Sequence, residues 1–442
     1  MTTTAAYPFD LGLGIPSSSD FQLLPFSTQS EEERFWLTHG LLWYYAFNHE
    51  EAIFCFTRAL EVSSACVMAH WGVSICHGPN YNTKSMSRDA FPSATAAYTH
   101  AQKVKELLSD SSIRSTLSET EGAILEALDN RYNPIDETVD SPIYQNTMLY
   151  ADAMAKVYLR FPNVACVACL YAEAVMNYNP WDLWDLNTGA SREHTLIVKN
   201  VLDKAIIYAP KHPGLNHFMV HLMEMSPTPQ DALPCCDVLR YSFPDAGHLI
   251  HMPSHIYVLL GSYSDAAASN VEANVADAKY VAKEGIHNCY TGYRIHNMHF
   301  VSYAAMFSGD YDMALKSAEQ IKENLPESVL EDKIMSMYFE SFLAVEWHVF
   351  IRFGKWRQIL QRSVKGSERE RKLYPFSIAM QHYARGIALA VLSGSEDGDE
   401  DGDGNGNSTT SLLADAEHEL SLYRLAYQQV HSPPIVYALI KV

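Results

Sequence analysis

Small residues recur at fixed offsets between large apolar ones, and this constrains the fold more than any other feature of the chain. In GLLWYYAFNHEEAIFCFTRALEVSSACVMAHWGVSI, Phe56 and Ala59 follow Ala52 by four and seven positions, the spacing of one helical face. Gly72 stands thirty-two residues after Gly40, close to a helix-turn-helix period of about 34 residues. The same frame recurs in GSYSDAAASNVEA (Gly261, Tyr263, Ala266), in GDYDMALKSAEQI (Gly309, Tyr311, Ala314), at Ala232 in TPQDALPCCDVL and at Gly354 in FGKWRQIL. Each glycine reads as a turn between two helices, and each alanine as the point where they approach. No alternating polar and apolar run bounded by hairpin turns competes with this pattern. The expected class is all-α, a right-handed superhelix of antiparallel helix pairs over residues 31–442, with 1–30 as an extended lead-in.

This pattern resembles the tetratricopeptide repeat. Five further stretches, YAFNHEEA, AHWGVSICHGPNYN, YAEAVMNYNPWDLWDL, HPGLNHFMVHLMEMSP and GHLIHMPSHIYVLLGSYSDA, are similar to those of one large His-rich tetratricopeptide family of bacteria and fungi. The similarity runs over roughly residues 30–390 and implies the repeat fold. The family is known by its repeats and implies no particular reaction.

The repeat register converts sequence into geometry. In such repeats the first helix of each pair lines the groove through positions 2, 5, 9 and 12, which share one face. Ala232 at position 20 puts His217, His221 and Glu224 on that face. Ala266 puts His248, His251 and His255 there, and Ala314 puts His296, His299 and Tyr303 there. Seven of these twelve positions are His, where 19 His in 442 residues would supply about one half by chance. Glu173, with Cys166 and Cys169 before it, takes an equivalent place in VACVACLYAEAVMN, and His348 does so further on.

Imidazole with carboxylate suits a transition metal, whereas Mg and Ca prefer oxygen. The expected metal ligands are His217, His221, Glu224, His248, His251, His255, His296 and His299. Pairs at i, i+4 such as His217 with His221 chelate one ion from a single helix. The set exceeds one coordination shell, so either two ions bind or some members support ligands or touch substrate. Tyr303 and Glu173 are the expected catalytic side chains. Without a carboxylate-rich set of hydrolytic type, Fe or Cu is favoured over Zn. The reading is a metal-dependent oxidoreductase acting on a small organic molecule. A metal-dependent hydrolase and a non-catalytic adaptor that grips a peptide are the alternatives.

Composition narrows the partners. Fifty-two acidic against 32 basic residues give a formal charge of −20, which disfavours nucleic acid and anionic membrane surfaces. No apolar run reaches the roughly 18 residues of a membrane span, and the N-terminus lacks a basic stretch followed by an apolar one. Eight irregularly spaced cysteines suggest no disulfide framework, so a cytoplasmic setting is expected; a homo-oligomer stays open. GSEDGDEDGDGNGNSTTS (394–411) reads as a disordered acidic insertion: Asp399, Asp401, Asp403 and Gly404 start a calcium-like loop, but Thr410 stands where it needs a glutamate. His100, His194, His212, His287, His418 and His431 read as ordinary polar residues, and His49 as part of a turn. His70 and His77 are open to either use. The register predicts that His251→Ala or His255→Ala abolishes turnover while the helical circular-dichroism spectrum survives. Wild-type turnover in either variant removes that residue from the site.

Overall fold

The computed structural model describes residues 7–13, 21–82, 91–132, 143–288, 290–331, 336, 339–394 and 409–430. Among them there is no β-strand; an isolated bridge joins Trp184 and Ser191, and the regular structure is helical. The fold class is therefore all-α. None of the described helices is long and apolar enough to cross a membrane. The chain divides into two compact units, residues 1–260 with 275–279, and residues 261–274 with 280–442.

The first unit holds α1 (Glu31–Tyr45), α2 (His49–Val62), α3 (Val67–His77), α4 (Phe91–Leu108), α5 (Ser111–Arg114), α6 (Glu119–Leu128), α7 (Ile143–Arg160), α8 (Ala165–Met176), α9 (Thr195–Tyr208), α10 (Pro213–Met223), α11 (Leu233–Ser242), α12 (Gly247–His251) and α13 (Pro253–Leu259). Sequence neighbours pack as pairs: α1 on α2, α3 on α4, α7 on α8, α10 on α11. Helix starts follow local chemistry. Ser30 and Asn48 cap α1 and α2 by accepting from the backbone N–H of Glu33 and Glu51.

The two spaced glycines have a shared purpose. The Phe56 ring, fully buried on α2, lies against Gly40 of α1 and Gly72 of α3. A Cβ would come within 2.8 Å of that ring at Gly40 and 2.5 Å at Gly72. Ala232, expected inside the second helix of its pair, instead ends a 3-10 turn (Pro229–Ala232) that leads into α11. In the lead-in, Phe9, Leu11, Phe21, Leu24 and Phe26 are buried. Asp10 and Asp245 bond reciprocally, Asp10 N–H to the Asp245 carboxylate at 2.7 Å and Asp245 N–H to the Asp10 carbonyl at 3.0 Å.

The second unit holds α14 (Tyr263–Glu284, of which 275–279 count with the first unit), α15 (Thr291–Ser308), α16 (Tyr311–Asn324), α17 (Glu327–Leu330), α18 (Val345–Arg352), α19 (Trp356–Gln361), α20 (Glu368–Leu373), α21 (Pro375–Ser393) and α22 (Thr409–Tyr427). One apolar cluster centres on Ile295, Ile321, Val349 and Ile378, another on Trp347, Phe350, Ile359 and Met380. The expected turn glycines Gly309 and Gly354 have φ of +82° and +64°, a backbone state that L side chains resist. The start of α22 at Thr409 falls inside the span 394–411; residues 395–408, with the calcium-like aspartates, lie outside the described residues, as does His431.

His212 illustrates how burial and function of a side chain are linked. It is fully buried and caps α10: its Nδ1 accepts from Leu215 N–H at 3.2 Å, which only an imidazole with that nitrogen unprotonated can do. Burial lowers its pKa to about 3. The unfolded chain takes up a proton below about 6.5 that the native ring refuses. The contribution to stability is thus complete above that pH and is lost as pH falls towards 3. His212→Asn keeps a capping acceptor and removes this titration. Denaturant titrations from pH 6 to 4 should show the variant losing about 1.4 kcal/mol less per pH unit than wild type; parallel profiles would refute the assignment.

Candidate metal centre

Three short helices carry the clustered histidines of the first unit. Helix α10 opens with Pro213, whose missing N–H costs nothing at a helix start, and every residue from Pro213 to Met223 is buried. His217 and His221 stand one turn apart on it, and Glu224 follows at its end. The stretch GHLIHMPSHIY forms not the expected single helix but two in line, α12 and α13. Pro253 has no N–H to give, and His255 N–H turns to the Met252 carbonyl at 3.2 Å. Met252 keeps helical angles (φ −50°, ψ −38°), so the helical twist passes through the break. At Gly247, the first residue of α12, a Cβ would stand 1.9 Å from the Asp277 carboxylate.

Six side chains converge: His217, His221, Glu224, His248, His251 and His255, each at most 4 % exposed. One nitrogen of His217, His221 and His248 apiece lies within 4.8 Å of the others. The hydrogen bonds fix which nitrogen carries the proton. His217 Nδ1–H donates to the Tyr45 carbonyl at 2.7 Å. Glu224 accepts from His221 Nδ1–H at 2.8 Å and lies 2.7 Å from His255 Nδ1. The Nε2 lone pairs of His217 and His221 are therefore turned inward. They have no hydrogen-bond partner among the described residues. His255 Nε2 lies 2.9 Å from His251 Nε2, and Ser254 Oγ is 3.4 Å from the other nitrogen of His251.

Charge is arranged to match. Burial, reinforced by neighbouring imidazoles, drives His217 and His248 well below the ordinary histidine range, and burial lowers His221 as well. These rings are neutral at physiological pH. Burial alone would raise Glu224, but His255 and His221 outweigh it and hold the carboxyl at about 2. Among the described residues no Lys or Arg pairs with Glu224. The result is a buried carboxylate beside the neutral His221 ring, whose Nε2 faces inward with that of His217, an arrangement that could hold a cation.

Aromatic residues wall this cluster. Phe47 stacks on His221 and His248 and lies 4.4 Å from His217, ring centre to ring centre. Tyr81 and Trp181 lie 4.8 and 5.6 Å from His221. Phe47 and Trp181 both have positive φ, +56° and +62°, a strained state for bulky side chains. Phe47 gave no sequence signal, since spacing does not report left-handed backbone. Trp181 and Tyr81 stand in NPWDLWDLN and GPNYN, whose residue types serve packing and turns as readily as a ligand site.

The remaining expected residues belong to other helices. Glu173 on α8 is buried, but it accepts from Tyr44 and is influenced electrostatically by Arg131 rather than by the histidines. His296, His299 and Tyr303 lie on α15 in the second unit. There His299 is buried, is lowered to about 4 by burial and then by His348, and faces Phe342 and Tyr303. Cys166 and Cys169 are buried packing residues: Cys166 Sγ meets His212 at 3.3 Å, and Cys169 Sγ lies against Gly214. His100, expected to be an ordinary polar residue, shares a 2.9 Å contact with His70 through their Nδ1 atoms.

No protein-family model matches the chain, and no curated protein does. Gly247→Ala tests whether the site depends on the start of α12. Its methyl must displace the Asp277 carboxylate, at a cost of about 1–3 kcal/mol in denaturant unfolding; stability equal to wild type would show that the contact yields freely.

Proposed function

We propose that the first unit is a metal-dependent oxidoreductase acting on a small organic molecule, and that the helix pairs are tetratricopeptide-like repeats wound into a right-handed superhelix. One observation carries the metal reading: the buried, unpartnered Nε2 atoms of His217 and His221, each on a ring whose other nitrogen is fixed by an acceptor. That arrangement is how proteins orient imidazole ligands. The 2.9 Å separation of His251 and His255 supports it. Two nitrogens sharing one ion at bonds of about 2.1 Å and near-right angles stand about 3 Å apart.

His217, His221 and His248 hold the ion, with His251 and His255 as ligands of the same or a second one. Glu224 orients His221 and His255 and balances the charge. Imidazole donors suit Fe, Cu and Zn alike; Fe or Cu is proposed over Zn because the set lacks the aspartates of a hydrolytic His/Asp cluster. When bound, such an ion supplies redox chemistry or Lewis acidity. Phe47, Tyr81 and Trp181 exclude water from the imidazoles and offer flat apolar surface to an organic substrate.

Reconstitution with Fe(II), Cu(II) or Zn(II), followed by elemental analysis, tests this reading. About one or two equivalents of Fe or Cu are expected, and less than about 0.2 equivalents of every metal would overturn it. Glu224→Gln should weaken metal affinity about 10–100-fold with the fold intact; unchanged affinity would remove Glu224 from its orienting role.

A further inference from the structure

A second set of buried polar atoms lies in the first unit, with partners of its own. Arg131, just past α6, is 5 % exposed. Its Nη2 donates to the Pro79 carbonyl at 2.7 Å, and its guanidinium lies over the Tyr150 ring, 4.6 Å from the centroid. Its Nε has no hydrogen-bond partner among the described residues, and none of the ion pairs among them involves it. Glu173 on α8 is 1 % exposed; Tyr44 donates to its Oε2, while Oε1 has no partner among the described residues. Asn146 and Tyr150, one turn apart on α7, add an amide oxygen and a hydroxyl in the same condition, both residues 2 % exposed. Helix α7 packs against both α6 and α8, which brings the four together. Gly78 lets the Tyr132 hydroxyl sit close by: a Cβ there would stand 2.3 Å from that hydroxyl and 3.3 Å from Arg131 Nε.

A guanidinium and a carboxylate buried side by side normally close into an ion pair, because each is costly alone. Here the two influence one another electrostatically without meeting, and each keeps an unused hydrogen-bonding atom. A single molecule completes both if it brings an anion to Arg131 and a cation to Glu173. The Tyr150 hydroxyl and the Asn146 amide then serve its remaining polar atoms. We infer that Arg131, Glu173, Tyr150 and Asn146 form a binding site for a small zwitterion of the free amino acid class, its carboxylate on Arg131 and its ammonium on Glu173. The site does not depend on metal at the histidines.

The test uses the full chain, stripped of metal. Thermal shift and calorimetry are run with each of the twenty free amino acids, and then with the N-acetyl and amide derivatives of the best one. At least one amino acid should bind saturably below about 10 mM. Capping either end should weaken binding about tenfold or more, the loss of one charge-assisted hydrogen bond. Glu173→Gln should weaken the parent amino acid and leave the N-acetyl form unaffected. Absence of binding by every amino acid would mean that the site holds water only. That result, or capped forms binding as well as the parent, overturns the proposal on wild-type protein alone, whatever the variant does to folding.

Discussion

The first unit is organised around imidazoles that must be neutral because they are buried. A neutral imidazole has one N–H to give and one lone pair to place. Each ring of known tautomer places its N–H outward, on the Tyr45 carbonyl or on Glu224, and so has its lone pair directed inward. Much of the local architecture follows from that requirement. Tyr45 must end α1 with its carbonyl free, Glu224 must follow α10 directly, and α12 and α13 must stay in line across Pro253. The aromatic wall keeps water from competing for the lone pairs.

The offsets of small residues made the helical class legible, because a glycine or alanine at a close approach leaves a periodic trace. The same offsets brought His217, His221 and Glu224 together with His248, His251 and His255, since an i, i+3, i+4 pattern specifies a face. What spacing could not reveal depends on backbone states or on distant contacts. Phe47 reaches the histidines from a left-handed turn, and Gly247 at the start of α12 lies against Asp277, thirty residues further on. Arg131 was a lone cation in the sequence, and only folding brings it beside Glu173. Pro253 was a local signal of the break between α12 and α13 that the periodicity of histidine overrode.

The two strained aromatics and the buried polar set point the same way. Left-handed Phe47 and Trp181, inward lone pairs, and charges held apart are all unfavourable taken singly. In the first unit they concentrate around α1, α7, α8 and α10. A stretch of chain that tolerates so many local penalties has its sequence constrained by something other than stability.

The ring of Phe56 between Gly40 and Gly72 bears on how such a chain can change. Three helices share one key, cut to a phenyl group on one side and to bare backbone on the other two. A hairpin exchanged from elsewhere in the chain, however similar in its helical pattern, would bring either a bulky residue where the ring must sit or a gap where it was. The opening of the first unit therefore packs as a block of three helices and not as interchangeable pairs.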